Sequence, residues 1–162
     1  MGSEMCIRDR KLLTACRSKG LPVIHVRTSG RLPDGRDLSR KLRAQGLAFG
    51  PDSAEAEFLA ALAPDPGEIG LDKTASGIFS GTGLDELLRN LGLENLILAG
   101  ISYDGAIEGS VRSISDRGYG LFLATDACAT YLKALQDWLW EVESGVIQVM
   151  SAQALVDQIE AI

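Results

Sequence analysis

The sequence predicts a single α/β domain of three layers, in which helices cover both faces of a mostly parallel, doubly wound sheet of about five strands. Short apolar, β-branched runs alternate with segments of helical periodicity, and the order helix, glycine, apolar strand recurs three times. Strands that alternate with helices form βαβ units and therefore a parallel sheet. A chain of 162 residues, 46% hydrophobic and 23% charged, is long enough for one domain with a proper core.

The charge balance argues against two classes of partner. The net charge is −6, whereas nucleic acids and anionic membranes require a basic face. No apolar run approaches the roughly 18 residues of a membrane span, and the N-terminus lacks an apolar signal-peptide core. The cysteines, Cys6, Cys16 and Cys128, are odd in number and suit neither a disulfide framework nor a zinc site. We therefore expect a cytoplasmic protein with reduced thiols.

The first ten residues, "MGSEMCIRDR", have no period and look like a tag or an artefact, which leaves residues 11–162 as the domain. The first credible element is a helix, "KLLTACRSKG", which ends at Gly20. A doubly wound domain normally begins with a strand. We therefore expect no strand in residues 1–10 and about five strands in all.

The next segments alternate between strand and connection. "LPVIHVRT" is a short buried strand, and residues 29–50 form a long loop of the kind that often covers a site. "DSAEAEFLAALAP" predicts a short helix that is stopped by Pro64, and "EIGLDK" predicts a strand that runs into Lys73.

The remaining elements repeat the pattern. Thr82, with Asp85 three residues on, predicts a capping box for a leucine-striped helix that ends at Gly92, and "NLILAGI" is the next strand. Five further elements complete the chain. They are a helix that stops at Gly118, the strand "YGLFLATDA", a helix over residues 131–142 with Trp138 and Trp140, the strand "VIQVMS" and a final helix capped by Ser151.

Short motifs, taken one at a time, do not indicate a nucleotide site, a metal site or a serine nucleophile. "SGTGLDE" lacks the third glycine of a dinucleotide fingerprint and the Gly-Lys of a phosphate loop, so a glycine-rich helix entry explains it better. His25, the one histidine, reads as a hydrogen-bonded core or pocket residue rather than a metal ligand. There is no G-x-S-x-G elbow. Lys73 is of more interest because it sits at the carboxyl end of a predicted strand.

Two blocks of residues resemble the isochorismatase-like cysteine hydrolase family, closely over residues 73–131 and loosely from Leu12 onward. The first block is Lys73, Phe79, Gly81 and Thr82. The second block corresponds to the family pattern Gly-Val-x-Thr-x-x-Cys-Val-x-x-Thr, and its residues here are Gly100, Ile101, Ser102, Tyr103, Asp104, Gly105, Ala106, Ile107, Glu108, Gly109 and Ser110, followed by Arg112, Asp116, Arg117, Gly118 and Tyr119.

The resemblance implies a fold and a mechanism. The family has a parallel sheet between helices and an Asp-Lys-Cys triad, in which the thiolate attacks the carbonyl of a C–N bond. Its oxyanion hole, shaped by a cis peptide bond that does not precede proline, corresponds here to the backbone N–H groups of Ser102 and Ala106. The resemblance also places Lys73 in the catalytic site and makes Phe79 and Tyr103 candidates for the substrate pocket.

The same resemblance implies that two groups of the family triad, the nucleophile and the aspartate, are missing from this sequence. The nucleophile position is Ala106, and no Ile-Asp-x-Gln-like motif supplies the aspartate that ends the family's first strand. Asp9 lies too close to Leu12 to take that role. An engineered change, a natural pseudoenzyme and a branch that cleaves enol ethers remain open, the last being least favoured because that branch keeps its aspartate and has glycine at this position.

Three segments look closest to the family members that act on ureido or carbamoyl compounds. They are "KTASGIF", "LRNLG" and "DACATY". We therefore predict a hydrolase for a C–N bond of a small amide, ureido or carbamoyl compound, in a form that lacks its nucleophile and base. The alternative is a pseudoenzyme or a small-ligand-binding scaffold. No metal and no cofactor are expected, Cys128 reads as a packing residue, and unpaired strand edges favour a homo-oligomer.

Overall fold

The computed structural model describes the backbone of residues 2–129 and 147–162 and the side chains of residues 7–129 and 147–162, and within them it confirms the α/β class. The helices are α1 (Gly2–Ser18), α2 (Arg40–Ala44), α3 (Leu84–Asn90), α4 (Glu108–Asp116) and α5 (Ala152–Glu160). The strands are β1 (Ile24–Thr28), β2 (Ile69–Lys73), β3 (Asn95–Ile101), β4 (Gly120–Ala129) and β5 (Gln148–Met150). The predicted helix over residues 131–142, with Trp138 and Trp140, lies outside the described residues.

All strand pairs in the described residues are parallel, but they form two ladders rather than one. β1 pairs with β2 from Ile24 opposite Ile69 to Thr28 opposite Lys73. β4 lies between β3 and β5 in the second ladder. The expected number of about five strands is confirmed, whereas the expected single sheet is divided between β1 and β3, which share no ladder hydrogen bonds in the described part of the chain.

Helices cover two faces of these ladders. On the first face, α3 and α4 contribute Leu84, Leu88, Val111 and Ile114 to a core that also receives side chains from all five strands. On the second face, α1 and α5 pack against β3 and β4 in a separate core; its buried members are Leu12, Ala15, Ala124, Ala127, Ala152, Leu155, Val156 and Ile159. The first core therefore joins both ladders into one three-layer unit.

The handedness of the connections gives the order of the strands. Phe58, between β1 and β2, contacts His25 and Arg27 with centroid distances of 5.8 and 5.1 Å, on the face opposite the core residues Ile24 and Val26. That connection therefore crosses the second face, whereas α3 and α4 cross the first. Because such crossovers are right-handed, connections on opposite faces move in opposite directions along the sheet. The order is β2, β1, then β3, β4 and β5, which makes β1 and β3 the two inner edges.

Helix α1 begins earlier than the sequence predicts. It runs unbroken from Gly2, so residues 2–10, which the sequence analysis sets aside as a tag or an artefact, form the first turns of this helix. Asp9, Leu12 and Ala15 are buried at helical spacing, and this face holds the helix against the sheet. The expectation of no strand in this segment is confirmed for residues 2–10.

Two other expectations need correction. The helix predicted before Pro64 is two single 3₁₀ turns, Ala54–Ala56 and Ala60–Leu62. Of these two turns only Ala56 is buried, and Leu59 between them is 56% exposed, so no continuous apolar stripe holds a longer helix. The N-cap of α3 is Gly83 rather than Thr82, although the Thr82 hydroxyl accepts from Leu84 N–H at 3.2 Å. Ser151 caps α5 as predicted, accepting from Ala154 N–H at 3.2 Å.

The loop over residues 29–50 is compact and contains α2. Its two ends run so close together that a Cβ at Gly35 would lie 2.3 Å from the backbone nitrogen of Phe49, and one at Gly50 would lie 2.6 Å from Pro33. The Asp37 carboxylate accepts from the backbone N–H groups of Arg31 and Leu32 at 2.7 and 3.2 Å. The loop is thus closed by backbone contact and by one carboxylate.

No helix among the described residues is long and apolar enough to cross a membrane.

Candidate functional site

Lys73 ends β2 at the carboxyl edge of the first ladder and is buried, with 6% of its surface exposed. Its Nζ donates to the carbonyl oxygens of Ala75 and Ser76 at 3.1 and 2.8 Å. Burial disfavours the charged ammonium and lowers the pKa of Lys73 to about 8. Within the described residues, none of its contacts is an ion pair with a carboxylate, so the cation is held by carbonyl dipoles alone.

Ala106 lies in a turn of π-helix, Tyr103–Ile107, between the end of β3 and the start of α4. The carbonyl oxygen of Ser102 accepts from the N–H groups of Gly105, Ala106 and Ile107 at 3.3, 2.9 and 3.2 Å. The bond between Ile101 and Ser102 is a cis peptide that does not precede proline, of the kind that the resemblance implies, and it adjoins the N–H of Ser102. The Ala106 N–H, a candidate oxyanion-hole donor, is therefore engaged within its own turn.

A hydroxyl group joins the segment after Lys73 to the turn that holds Ala106. Ser110 is fully buried on α4; its hydroxyl accepts from Ile78 N–H at 3.2 Å and donates to the carbonyl oxygen of Ala106. The structure thus brings together the two blocks that the sequence singles out. The spacing of Ala106 and Ser110, four residues apart on one helical face, is the sequence signal for this contact.

The loop over residues 29–50 meets the same region. Ser39 N–H donates to the carbonyl oxygen of Thr74 at 2.8 Å, and the Arg31 guanidinium donates to Gly81 at 2.6 Å. The segment that follows Lys73 is therefore held by α4 on one side and by this loop on the other.

The two candidate pocket residues differ in accessibility. Phe79 is half-buried against the first core, and the Arg117 guanidinium lies 4.2 Å from the centre of its ring. Tyr103 is fully buried within the first core. Phe79 lies where it could form a wall, whereas Tyr103 packs beneath the site.

Asp9, which the sequence excludes as a base, lies on α1 close to the carboxylate of Asp126. Its side chain is buried, and its Oδ1 has no hydrogen-bond partner among the residues with described side chains. Burial and then repulsion from Asp126 raise the pKa of Asp9 to about 6. Sequence reasoning missed that this carboxyl is buried, although its place three residues before Leu12 puts both on one helical face.

Cys128 and His25, which the sequence analysis also discusses, both contact neighbouring side chains of the fold. Burial raises the pKa of Cys128 to about 12, so its thiol stays protonated at neutral pH and packs in the first core, as predicted. His25 Nε2 contacts Glu68 Oε2 at 2.8 Å, and Arg17 of α1 binds both oxygens of that carboxylate at 2.7 and 2.8 Å. Among the described residues, no three His, Cys, Asp or Glu side chains are grouped to hold a metal ion.

A groove of about 560 Å³ lies between α1 and α5. Its lining includes Arg10, Lys11 and Glu160 but neither Lys73 nor Ala106. It is therefore a surface feature of the second helical layer and is separate from the candidate site.

The comparison with known proteins adds a family to this geometry. The sequence profile of the isochorismatase domain matches residues 3–154. The chain belongs to the isochorismatase family. The isochorismatase-family protein YecD of Escherichia coli O157:H7, itself uncharacterised, is 30% identical over 126 residues, which cover 78% of this chain and 67% of that protein. N-carbamoylsarcosine amidase of an Arthrobacter species is 23% identical over an alignment of 171 positions, gaps included, which covers 99% of this chain and 64% of that protein.

The solved structures agree with this assignment. An isochorismatase-family protein from Burkholderia thailandensis has a TM-score of 0.89 and 28% identity, with 99% of this chain and 85% of that chain covered. The chain spans about two thirds of the length of the two sequence relatives. The family and the α/β fold are thus established for this chain.

The Ser110 bridge leads to a stability prediction. Ser110→Ala leaves the buried N–H of Ile78 without its acceptor, which should lower the free energy of unfolding by about 1–3 kcal/mol. The matched control is Ser113→Ala on the same helix. The half-buried Ser113 hydroxyl donates to the carbonyl oxygen of Gly109, and its removal should change stability by less than about 0.5 kcal/mol. Urea unfolding measures both, and equal effects would contradict the bridge.

Lys73 leads to a prediction of pH dependence. Its pKa of about 8 in the folded protein lies below the ordinary value of 10.5 in the unfolded chain. The unfolded state therefore binds more protons between these values, and this lysine makes stability rise from pH 8 to 10.5, by at most about 3 kcal/mol. The rise should be absent from Lys73→Met and retained in the exposed control Lys41→Met. Parallel pH profiles for Lys73→Met and the unmodified chain would contradict a buried ammonium.

Proposed function

We propose that this chain has the scaffold of a hydrolase that acts on a C–N bond of a small amide, ureido or carbamoyl compound, and that it lacks both nucleophile and base. The family assignment supports the scaffold, and the name of the relative N-carbamoylsarcosine amidase supports the substrate class. On this proposal residues 11–162 form one domain of a cytoplasmic protein, whose partner is a small-molecule substrate or ligand. Self-association is part of it, supported by the half-buried inner strand edges.

The observation that carries the proposal is the methyl group of Ala106 at the end of β3, in the turn that the Ser110 hydroxyl joins to the Lys73 segment. A methyl group has no lone pair with which to attack a carbonyl carbon. Lys73 is a cation below pH 8, so it can stabilise negative charge but cannot accept a proton there. The contacts of Lys73 in the described residues include no carboxylate that could take the proton from a nucleophile.

The state of the backbone donors supports the same conclusion. Stabilisation of an oxyanion needs N–H groups that are already directed at the position where charge develops. The Ala106 N–H instead donates to Ser102 within its turn. Charge stabilisation at this site would therefore rest on Lys73 and on rearrangement of the turn.

A ligand-binding role is the second candidate, and one observation favours it. Lys73 is a buried cation whose contacts in the described part of the chain are two carbonyl oxygens, so it has capacity for an anion. A small carboxylate or carbamoyl compound would bind Lys73 through charge or hydrogen bonds, with the half-buried Phe79 as an apolar wall.

We expect no catalysis from the chain as it stands. In a screen of small amides and ureido acids, product should form no faster than in buffer, because loss of the nucleophile and base of a triad removes many orders of magnitude in rate. Product release is measured by chromatography at high enzyme concentration. Turnover that Lys73→Ala abolishes would overturn the assignment of an inactive site.

Restoring only the thiol serves as the second arm of this experiment. Ala106→Cys should label slowly with iodoacetamide and hydrolyse the same compounds little, because no base takes its proton or returns it to the leaving nitrogen. Peptide mapping separates this thiol from Cys6, Cys16 and Cys128. Efficient hydrolysis by Ala106→Cys would show that another residue supplies the base.

Calorimetry tests the ligand-binding role. Small carboxylates such as N-carbamoylglycine should bind at millimolar concentration or tighter at pH 7 and more weakly above pH 8, as Lys73 loses its proton. Lys73→Met should abolish binding, whereas Lys41→Met should retain it. Absence of binding at millimolar concentration, or binding that survives Lys73→Met, would rule out this role.

A further inference from the structure

Ser102 is the first residue after β3, and its hydroxyl has no hydrogen-bond partner within the described residues. The residue is extended, with φ of −90° and ψ of 147°, and its side chain does not cap the turn of π-helix that follows. The residue is half-buried, and its hydroxyl oxygen retains contact with solvent. The Ser102 hydroxyl is therefore a donor and acceptor that a small molecule can reach.

The serines on the helix that follows differ in this respect. The hydroxyls of Ser110 and Ser113, on α4, donate to the carbonyl oxygens of Ala106 and Gly109, each four residues earlier in the chain. A serine within a helix satisfies its hydroxyl in this way. Ser102 follows a strand, so no preceding helical turn offers it a carbonyl oxygen.

The Ser102 hydroxyl borders a space that exists because residue 105 has no side chain. A Cβ at Gly105 would lie 2.8 Å from Ser102 Oγ. Apart from the backbone of its own turn and its two chain neighbours, no other described heavy atom lies within 4 Å of that Cβ position. We call this space, beside Gly105 and bordered by Ser102 Oγ, the Gly105 recess. It lies at the carboxyl end of β3, where ligands bind in α/β sheets.

The backbone donors beside the recess are already engaged. The N–H groups of Gly105, Ala106 and Ile107 all donate to the carbonyl oxygen of Ser102. An acceptor atom that enters the recess would therefore meet the hydroxyl of Ser102 as its donor in place of these three N–H groups.

Lys73 supplies a second, different binding group to the same region. The Ser110 hydroxyl joins Ile78, in the segment after Lys73, to Ala106, which adjoins Gly105. The ammonium of Lys73 suits a carboxylate, whereas a neutral hydroxyl suits the uncharged carbonyl oxygen of an amide or ureido group. A small molecule with a carboxylate at one end and such a carbonyl at the other matches both groups.

We propose that the Ser102 hydroxyl determines the specificity of this site, by donating a hydrogen bond to the carbonyl oxygen of an N-acyl or N-carbamoyl amino acid whose carboxylate binds Lys73. This inference rests on the ligand-binding role proposed for Lys73 and adds a requirement to it: the ligand carries a carbonyl group in addition to its carboxylate. The contact is made by a side chain, so it does not require the Ala106 N–H to leave its turn.

The test is an NMR titration of the full chain at pH 7 with two probes, N-carbamoylglycine and pentanoate. Both carry a carboxylate on a chain of the same length, but the chain of pentanoate has no carbonyl group. Ser102→Ala should weaken binding of N-carbamoylglycine by about threefold to tenfold, the effect of one net hydrogen bond, and leave binding of pentanoate unchanged. The matched control is Ser113→Ala, whose hydroxyl donates to Gly109 and which should leave both affinities unchanged.

Gly105→Ala tests the recess by a second route. Its methyl group would occupy the recess and turn the Ser102 hydroxyl aside, which the freedom of a serine side chain allows without unfolding. The melting temperature should stay close to that of the unmodified chain. Binding of N-carbamoylglycine should fall at least as far as in Ser102→Ala, and unchanged binding would contradict a ligand in the recess.

The outcomes separate this inference from the proposed role of Lys73. Affinity for N-carbamoylglycine that survives Ser102→Ala would overturn the hydroxyl contact and leave the role of Lys73 in place. Equal weakening of both probes by Ser102→Ala would also overturn it, because the effect would then act through the fold and not on the carbonyl group. If neither probe binds the unmodified chain at millimolar concentration, the role of Lys73 fails and this inference fails with it.

Discussion

The first core, formed by α3 and α4, is the constraint on which the rest of the structure depends. The two ladders share no hydrogen bonds in the described residues, and the apolar packing that joins them lies on this helical layer. On the other face the link is polar, through the Arg17 guanidinium of α1 and the Glu68 carboxylate next to β2. Ile24 and Val26 of one ladder and Leu121 and Leu123 of the other lie against the same helices. Packing is non-directional, whereas a ladder fixes register, so the relation between the two sheets is set less strictly than the relation between strands within each.

This constraint also locates the candidate site. Lys73 ends a strand of one ladder, and Ala106 follows a strand of the other. The Ser110 hydroxyl, on the helical layer common to both, contacts the segments after each of these strands. The packing that brings these two segments together therefore depends on Ser110 and on the common helical layer, and not on a reactive side chain at position 106.

Much of the fold could be predicted because apolar periodicity and glycine stops mark each element locally. The five strands, the cap at Ser151 and the pairing of His25 follow from residues close in sequence or from the chemistry of one side chain. The predicted helix before Pro64 was wrong because composition suggested a helix that no tertiary packing supports, since Leu59 points to solvent. The division into two ladders was not predicted as such, because pairing depends on which edges meet in space.

The site was predicted in part. The two sequence blocks gave Lys73 and Ala106 through the family resemblance, and the structure joins their segments. The burial of Lys73 follows from its place at the end of β2, but the carbonyl partners at Ala75 and Ser76 depend on how the next turn folds. The sequence analysis excluded Asp9 as a base from its distance to Leu12 along the chain. The burial of its side chain was not predicted, because it depends on α1 beginning at Gly2 rather than at Lys11.

The closed loop over residues 29–50 has a consequence for how this scaffold tolerates change. Where Gly35 meets Phe49 and Gly50 meets Pro33, backbone lies against backbone with no room for a methyl group. Sequence drift is therefore restricted at the glycines, while the exposed residues near Asp34 and Arg36 are free to vary. The loop can accordingly serve as a graft site, in which new side chains replace the exposed residues at its tip without disturbing the backbone contacts that close it.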